Sequence, residues 1–271
     1  MSVRGPRAFS VPMLASTLRA MTFSVIAPRY ISGMGFSDWA RSEDFLTGEF
    51  FGLLRYLPVQ TGVLQVLARA RTKDGLTFPQ WLTGDAAVAC HQIRLWPEFA
   101  QGIPDVLVQL SDGSDKPVAD VLIEVKLYSG QSEHRDDPRH QLIRYIEAFA
   151  TEDSLERSAP RALVYLTLER TIPRDELETA LNAAGNARER VTLFWVGWHD
   201  VAACLHDMEH SDQFKFLRSH EAAAAQDLRG ILRARGIRVD ADVEHFPLHV
   251  EALSDLGQWP DLWLLALRKD P

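Results

Sequence analysis

Apolar side chains recur along the chain in three rhythms, helical spacing, alternation and short continuous runs, and their order predicts the elements. Phe45, Phe50, Leu53, Leu54 and Leu57 keep helical spacing between a cap at Ser37 or Asp38 and a stop at Pro58. Glu43, Asp44 and Glu49 make the first half of that helix acidic. A second helix is predicted over 60–71, and "DGLTFP" reads as a turn. From Ala86 the pattern changes to strands: "AVACHQIRLW", "PDVLVQL" and "ADVLIEVKLY", the last two separated by the turn-rich "SDGSDKP". Three such segments in succession predict an antiparallel meander. Asp137 and Pro138 begin a helix that runs to about Ala150. The apolar runs "RALVYLTL" and "VTLFWVGW" predict two further strands with a helix over 175–184 between them, and "HEAAAAQDLRGILRARG" predicts a helix ended by Gly236.

Helix, three strands, helix, strand, helix, strand and a helical tail make an α/β arrangement, a mixed β-sheet flanked by helices. The core is expected over 38–200, with a helical C-terminal region, 201–271, packed on it. Trp259 and Trp263 carry too much apolar surface to be left in water. Residues 1–37 hold Arg4, Arg7, Arg19 and Arg29 and no acid. They read either as a transit-like segment or as an unfolded N-terminal extension before a unit that begins near Met34, and the second reading is preferred.

Composition narrows the function classes. With 271 residues, 46% hydrophobic and 24% charged, and with ordinary Gly and Pro usage, the chain is neither disordered, collagenous nor a coiled-coil rod. Two cysteines, Cys90 and Cys204, do not make a disulfide framework, so a reducing compartment and a cytoplasmic location are expected. No apolar run is long enough to predict a membrane span. A net charge of −8 argues against a general nucleic-acid coat and leaves room for a local basic groove. No GxSxG elbow or glycine-rich phosphate loop supports a serine hydrolase or an ATPase. Cys204, His206 and His210 are spaced as zinc donors, but without HExxH or a fourth ligand they read as polar residues of a helix. The seven Trp read as core packing rather than base-stacking platforms.

The candidate chemistry lies in "ADVLIEVKLY". Alternation puts Val121, Ile123, Val125 and Leu127 on one face and Leu122, Glu124, Lys126 and Tyr128 on the other. A hairpin centred between Ser114 and Asp115 sets Asp105 opposite Glu124, and a one-residue slip would separate them. Facing carboxylates repel unless a positive charge stands between them. A divalent cation would supply it, and two carboxylates with a backbone carbonyl such as that of Val125 suit Mg²⁺ better than zinc. Such a site serves phosphate chemistry, with Lys126 orienting a nucleophile or stabilising charge. The plain alternative is that Glu124 and Lys126 form a surface ion pair on a half-exposed strand.

Pro104 and Asp105, followed by Glu124, Val125 and Lys126 on the next strand, resemble the PD-(D/E)xK nuclease superfamily. "HQLIRY" adds Gln141 and Tyr145 at i, i+4, the Gln/Tyr pair of a bacterial branch of that superfamily, with Arg144 beside them. The likeness spans about Ser42 to Trp198. It implies a restriction-endonuclease-like fold and Mg²⁺-dependent hydrolysis of DNA phosphodiester bonds, with Mn²⁺ able to substitute and products ending in 5′-phosphate and 3′-hydroxyl. It further implies Asp105, Glu124 and Val125 as metal ligands and Lys126, Gln141 and Tyr145 as catalytic partners. "EDFLTGEFFGLLRYL" resembles the first helix of that branch, in which an early Glu completes the metal site; Glu43 is assigned that role over Glu49. Arg135, Arg139 and Arg144 either meet phosphates or face solvent. A homodimer or larger assembly is compatible with the resemblance. The rival readings are a non-catalytic nucleic-acid-binding or assembly module on the same fold, and an RNA-directed nuclease.

Overall fold

The computed structural model describes residues 43–82, 88–99, 102–127, 141–156 and 158–239. The expectations for the N-terminal extension, Tyr128, Arg135, Asp137, Pro138, Arg139, Trp259 and Trp263 lie outside the described residues.

The centre is a five-stranded sheet in the order β1 (Cys90–Leu95), β2 (Val106–Ser111), β3 (Pro117–Val125), β4 (Arg161–Thr167) and β5 (Val191–Gly197). The first three strands form the expected antiparallel meander, and β4 and β5 continue it in parallel. Parallel neighbours need crossovers, and helices supply them. Helices α1 (Glu43–Leu54), α2 (Val63–Leu67) and α3 (Phe78–Trp81) precede the sheet. Helix α4 (Gln141–Thr151) joins β3 to β4, and α5 (Arg174–Ala183) joins β4 to β5. Helices α6 (Trp198–His210) and α7 (Ser219–Ala234) follow. The protein is thus an α/β protein with a mixed sheet flanked by helices.

Strand β3 is central and buried along most of its length. One face of the sheet, with Leu107, Leu122, Leu163, Leu193 and Trp195, shares a core with Leu142, Ile146 and Phe149 of α4 and Leu177 of α5. On the opposite face Phe194 meets Phe78 and Trp81. Helix α1 packs Phe50 edge-on against Trp198 of α6, and Glu49 pairs with Arg235, just past α7, at 2.7 Å. Gly236 ends α7 at φ 75°, in the left-handed region that glycine adopts without a Cβ clash.

Two segments differ from expectation. The second helix is confined to Val63–Leu67, because Arg71 is drawn to the edge of β5, exchanging both backbone hydrogen bonds with Trp195 at 2.9 Å. The segment read as a turn contains the one-turn helix α3, in which Gln80 Oε1 accepts the Thr77 N–H at 3.0 Å and Phe78 is buried.

The β2–β3 hairpin sets the register that matters. Asp112 accepts the N–H groups of Ser114 and Lys116 on its side chain, and Asp115 takes φ 61°. That makes a three-residue loop ending in a left-handed residue, centred on Ser114. Continued without interruption it would pair Asp105 with Ile123. A bulge between Leu110 and Ser111 leaves Val118 unpaired and resets the ladder to Leu110 with Ala119 and Val106 with Ile123. One step further along that register, Asp105 falls level with Glu124, as the hairpin reading expected.

Among the described residues no helix is long and apolar enough to cross a membrane.

Candidate active site

Glu124 is the last but one residue of β3 and projects to the face covered by α4. It is 1% exposed, so it is no surface residue of a half-exposed strand. Its Oε1 lies 2.8 Å from Lys126 Nζ, out of hydrogen-bonding alignment, and its Oε2 has no partner. Asp105 is 9% exposed and held by the turn into β2: its backbone carbonyl accepts the Trp96 N–H, and its Oδ2 accepts the Val125 N–H at 2.8 Å. The Val125 N–H is thus one of the groups that line the site.

Lys126 leaves the end of β3, its backbone N–H donated to Leu166 at 2.7 Å. Its ammonium reaches Glu43 Oε1 at 3.1 Å as well as Glu124. Glu43, at the first position of α1, also accepts the Leu127 N–H on Oε2 at 2.8 Å. Glu49 instead faces Arg235, so of the two glutamates proposed from the sequence it is Glu43 that stands among these groups.

From α4, Gln141 Nε2 donates to the Tyr145 hydroxyl at 3.2 Å, the i, i+4 contact expected of their spacing. The Tyr145 hydroxyl donates in turn to the carbonyl of Ile103, also at 3.2 Å, two residues before Asp105. Gly102 lies against the same ring: a Cβ there would come within 3.2 Å of Tyr145 Cε1.

The electrostatics follow from crowding acids in a dry place. Burial pushes the Asp105 carboxyl up to about 6, against the pull of the Val125 N–H and the Lys126 ammonium. Glu124 is pushed well above the ordinary glutamate range by burial and then by the charge of Asp105. For Lys126 burial alone would favour the neutral amine, but the charge and contact of Glu124 outweigh it and hold the ammonium. Burial, followed by the Glu124 charge, raises Tyr145 to about 12, so its phenol remains a donor at neutral pH.

Glu43, Asp105, Glu124, Lys126, Gln141 and Tyr145 are thus brought to one end of the sheet, where Arg144 also acts on Tyr145. Tyr165 was not anticipated. It sits beside Glu124 on β4, is buried, and donates its hydroxyl to Glu176 at 3.1 Å. Alternation along β4 gives its face, but only the β3–β4 pairing makes it a neighbour of Glu124. Of the possible zinc donors of α6, Cys204 is buried, His210 Nδ1 lies on the His206 carbonyl, and His206 Nδ1 is buried without a hydrogen-bond partner, its ring 4.2 Å from that of His210.

Among the described residues no three His, Cys, Asp or Glu side chains stand ready-made around a metal position. The donor chemistry nevertheless fits a hard cation. Glu124 is a buried carboxylate with an orphaned oxygen, beside a second buried carboxylate, and such groups are stable in ionised form only against positive charge. No family model, curated protein or solved structure matches the chain.

Proposed function

We propose that the protein is a metal-dependent nuclease that hydrolyses DNA phosphodiester bonds, with the restriction-endonuclease-like organisation that its Pro-Asp and Glu-x-Lys elements resemble. The observation that carries this reading is Glu124: buried, with one carboxylate oxygen unpartnered, level with Asp105 and 2.8 Å from an ammonium. Buried polar atoms are mostly hydrogen-bonded, so an orphaned carboxylate oxygen beside a second buried acid favours a site for a cation over a purely structural one.

Asp105 and Glu124 are the residues that would hold Mg²⁺. Held there, the cation supplies neutralising charge for a phosphoryl oxygen and acidifies water at neutral pH. Lys126, kept as an ammonium, orients the attacking water and offsets charge that develops on the phosphate. Tyr145 and Gln141 hold the backbone from which Asp105 projects. Burial on both faces of β3 keeps bulk water from the acids and strengthens each of these interactions.

The test is incubation of the purified protein with supercoiled plasmid, linear duplex, single-stranded DNA and RNA, in Mg²⁺, Mn²⁺ or chelator, beside Lys126→Ala and Glu124→Ala. Metal-dependent cleavage of DNA, lost in both variants, is the expected result. By calorimetry Lys126→Ala is expected to bind metal still and Glu124→Ala to bind none. Unchanged Mg²⁺ binding by Glu124→Ala contradicts the assignment, and cleavage of RNA alone replaces the substrate class.

A second reading draws on the same contacts. Lys126 touches both Glu43 and Glu124, as a charge network without a metal would. A non-catalytic nucleic-acid-binding module on this fold is then the alternative, and salt-dependent duplex binding without cleavage in either metal supports it.

A further inference from the structure

Glu43 and Glu124 share one lysine but stand in different hydrogen-bonding states. Both oxygens of Glu43 are engaged: Oε1 accepts from Lys126 Nζ at 3.1 Å, and Oε2 accepts the Leu127 N–H at 2.8 Å. The oxygens of Glu124 accept no aligned hydrogen bond, although Oε1 lies 2.8 Å from the same ammonium. Glu43 is thus tied to the backbone just beyond the end of β3, and its second oxygen is presented to the lysine. Glu124 is held by no backbone hydrogen bond, only by its ion pair with Lys126, and lies beside Asp105. Resting on the nuclease reading, we propose that Glu43 is a positioning residue for Lys126, not a metal ligand, and that it holds the ammonium when a divalent cation takes Glu124.

The physical argument is one of competing cations. An ammonium 2.8 Å from Glu124 and a divalent ion on the same carboxylate repel each other, so metal binding must move Lys126 off Glu124. An ammonium released into a buried site with no acceptor carries a large desolvation cost. Lys126 is 8% exposed, and Glu43 already accepts from it, so a short shift of Nζ ends on an existing partner. The Leu127 N–H fixes the carboxylate that receives it. Lys126 then stays at the acids with its charge, turned from Glu124 toward the reacting water. The same lysine serves as counter-ion to the metal-free acids and as catalyst once a cation is held, and Glu43 joins the two roles.

The proposal is tested by Mn²⁺ titration calorimetry on four proteins: wild type, Glu43→Gln, Lys126→Met and the double variant. Removing the competing ammonium in Lys126→Met is expected to tighten Mn²⁺ binding. Glu43→Gln is expected to weaken it by about tenfold in the wild-type background, because the lysine then stays on Glu124, and to have no further effect in Lys126→Met. The two substitutions are therefore coupled. Equal losses of affinity from Glu43→Gln in both backgrounds would make Glu43 a ligand in its own right and overturn the proposal. So would a loss as deep as that of Glu124→Gln. If Glu43→Gln does not fold, Glu43→Asp, too short to span both Lys126 and Leu127, takes its place in the same comparison. Wild type that binds no Mn²⁺ removes the underlying nuclease reading instead, an outcome distinct from additive losses in a protein that binds it.

Discussion

Asp105 Oδ2 accepts the backbone N–H of Val125 at 2.8 Å, which indexes the acid at the start of β2 to the residue between Glu124 and Lys126 on β3. The bond explains how two acids come to share a dry site despite their repulsion, since it favours ionised Asp105 while burial opposes it.

Stability should fall as pH rises through the acid range. An acid whose folded pKa exceeds its unfolded one holds its proton more tightly in the folded state, so its stabilising effect is present at low pH and lost on ionisation. For Asp105 the window runs from the ordinary 3.8 to about 6, and Glu124 extends it upward. With chelator present, wild type is expected to melt higher at about pH 5 than at about pH 7.5, and Asp105→Asn to narrow that difference. Scanning calorimetry that finds the same pH dependence in both proteins would refute the shift.

Metal binding should release protons. Mg²⁺ favours ionised Asp105 and Glu124, so protons held by the metal-free acids are expelled, more of them below about pH 6, where Asp105 keeps its proton, than above it. Titration in buffers of different ionisation enthalpy reads that release directly. An observed enthalpy independent of the buffer is the contrary result.

The turn that carries Asp105 is braced by α4. Tyr145→Phe removes the donor to the Ile103 carbonyl and the acceptor of Gln141, at about 1 kcal/mol, or roughly 2–4 °C in Tm. If the brace sets Asp105, Mg²⁺ affinity falls by about tenfold as well. Gly102→Ala is expected to act through the same ring, because Gly102 has φ 147° and a Cβ would press on Tyr145 Cε1. Affinity equal to wild type in both variants would detach the brace from the metal site.

Helix α7 is fastened to α1 by Arg235, whose side chain is 6% exposed, on Glu49 and over the Phe45 ring. The Glu49 side chain is 23% exposed, so the pair is only partly buried, and Arg235→Met is expected to cost about 2 kcal/mol, a Tm lower by roughly 4–8 °C. Metal affinity should stay as in wild type, because Glu49 stands apart from Asp105 and Glu124. A loss of affinity without a loss of stability would contradict the assignment of Glu43 over Glu49.

The local part of this site was legible in the sequence because backbone geometry dictates it. Alternation along a strand places Glu124 and Lys126 on one side, helical periodicity brings Gln141 to 3.2 Å from Tyr145, and Asp105 stands where a strand begins. The order of elements likewise implied a meander continued by crossover helices. Other relations depend on which distant segments meet, and no local spacing encodes them. Glu43 reaches Lys126 across 83 residues because α1 starts beside the end of β3. Tyr165 neighbours Glu124 only through parallel pairing of β3 with β4. The three-residue loop alone would have set Asp105 against Ile123, and the bulge at Leu110 and Ser111 corrects the register. Burial of Glu124, which turns an ion pair on a strand into a perturbed acid, comes from the central place of β3 and the helix across its face, because desolvation depends on what packs over a side chain.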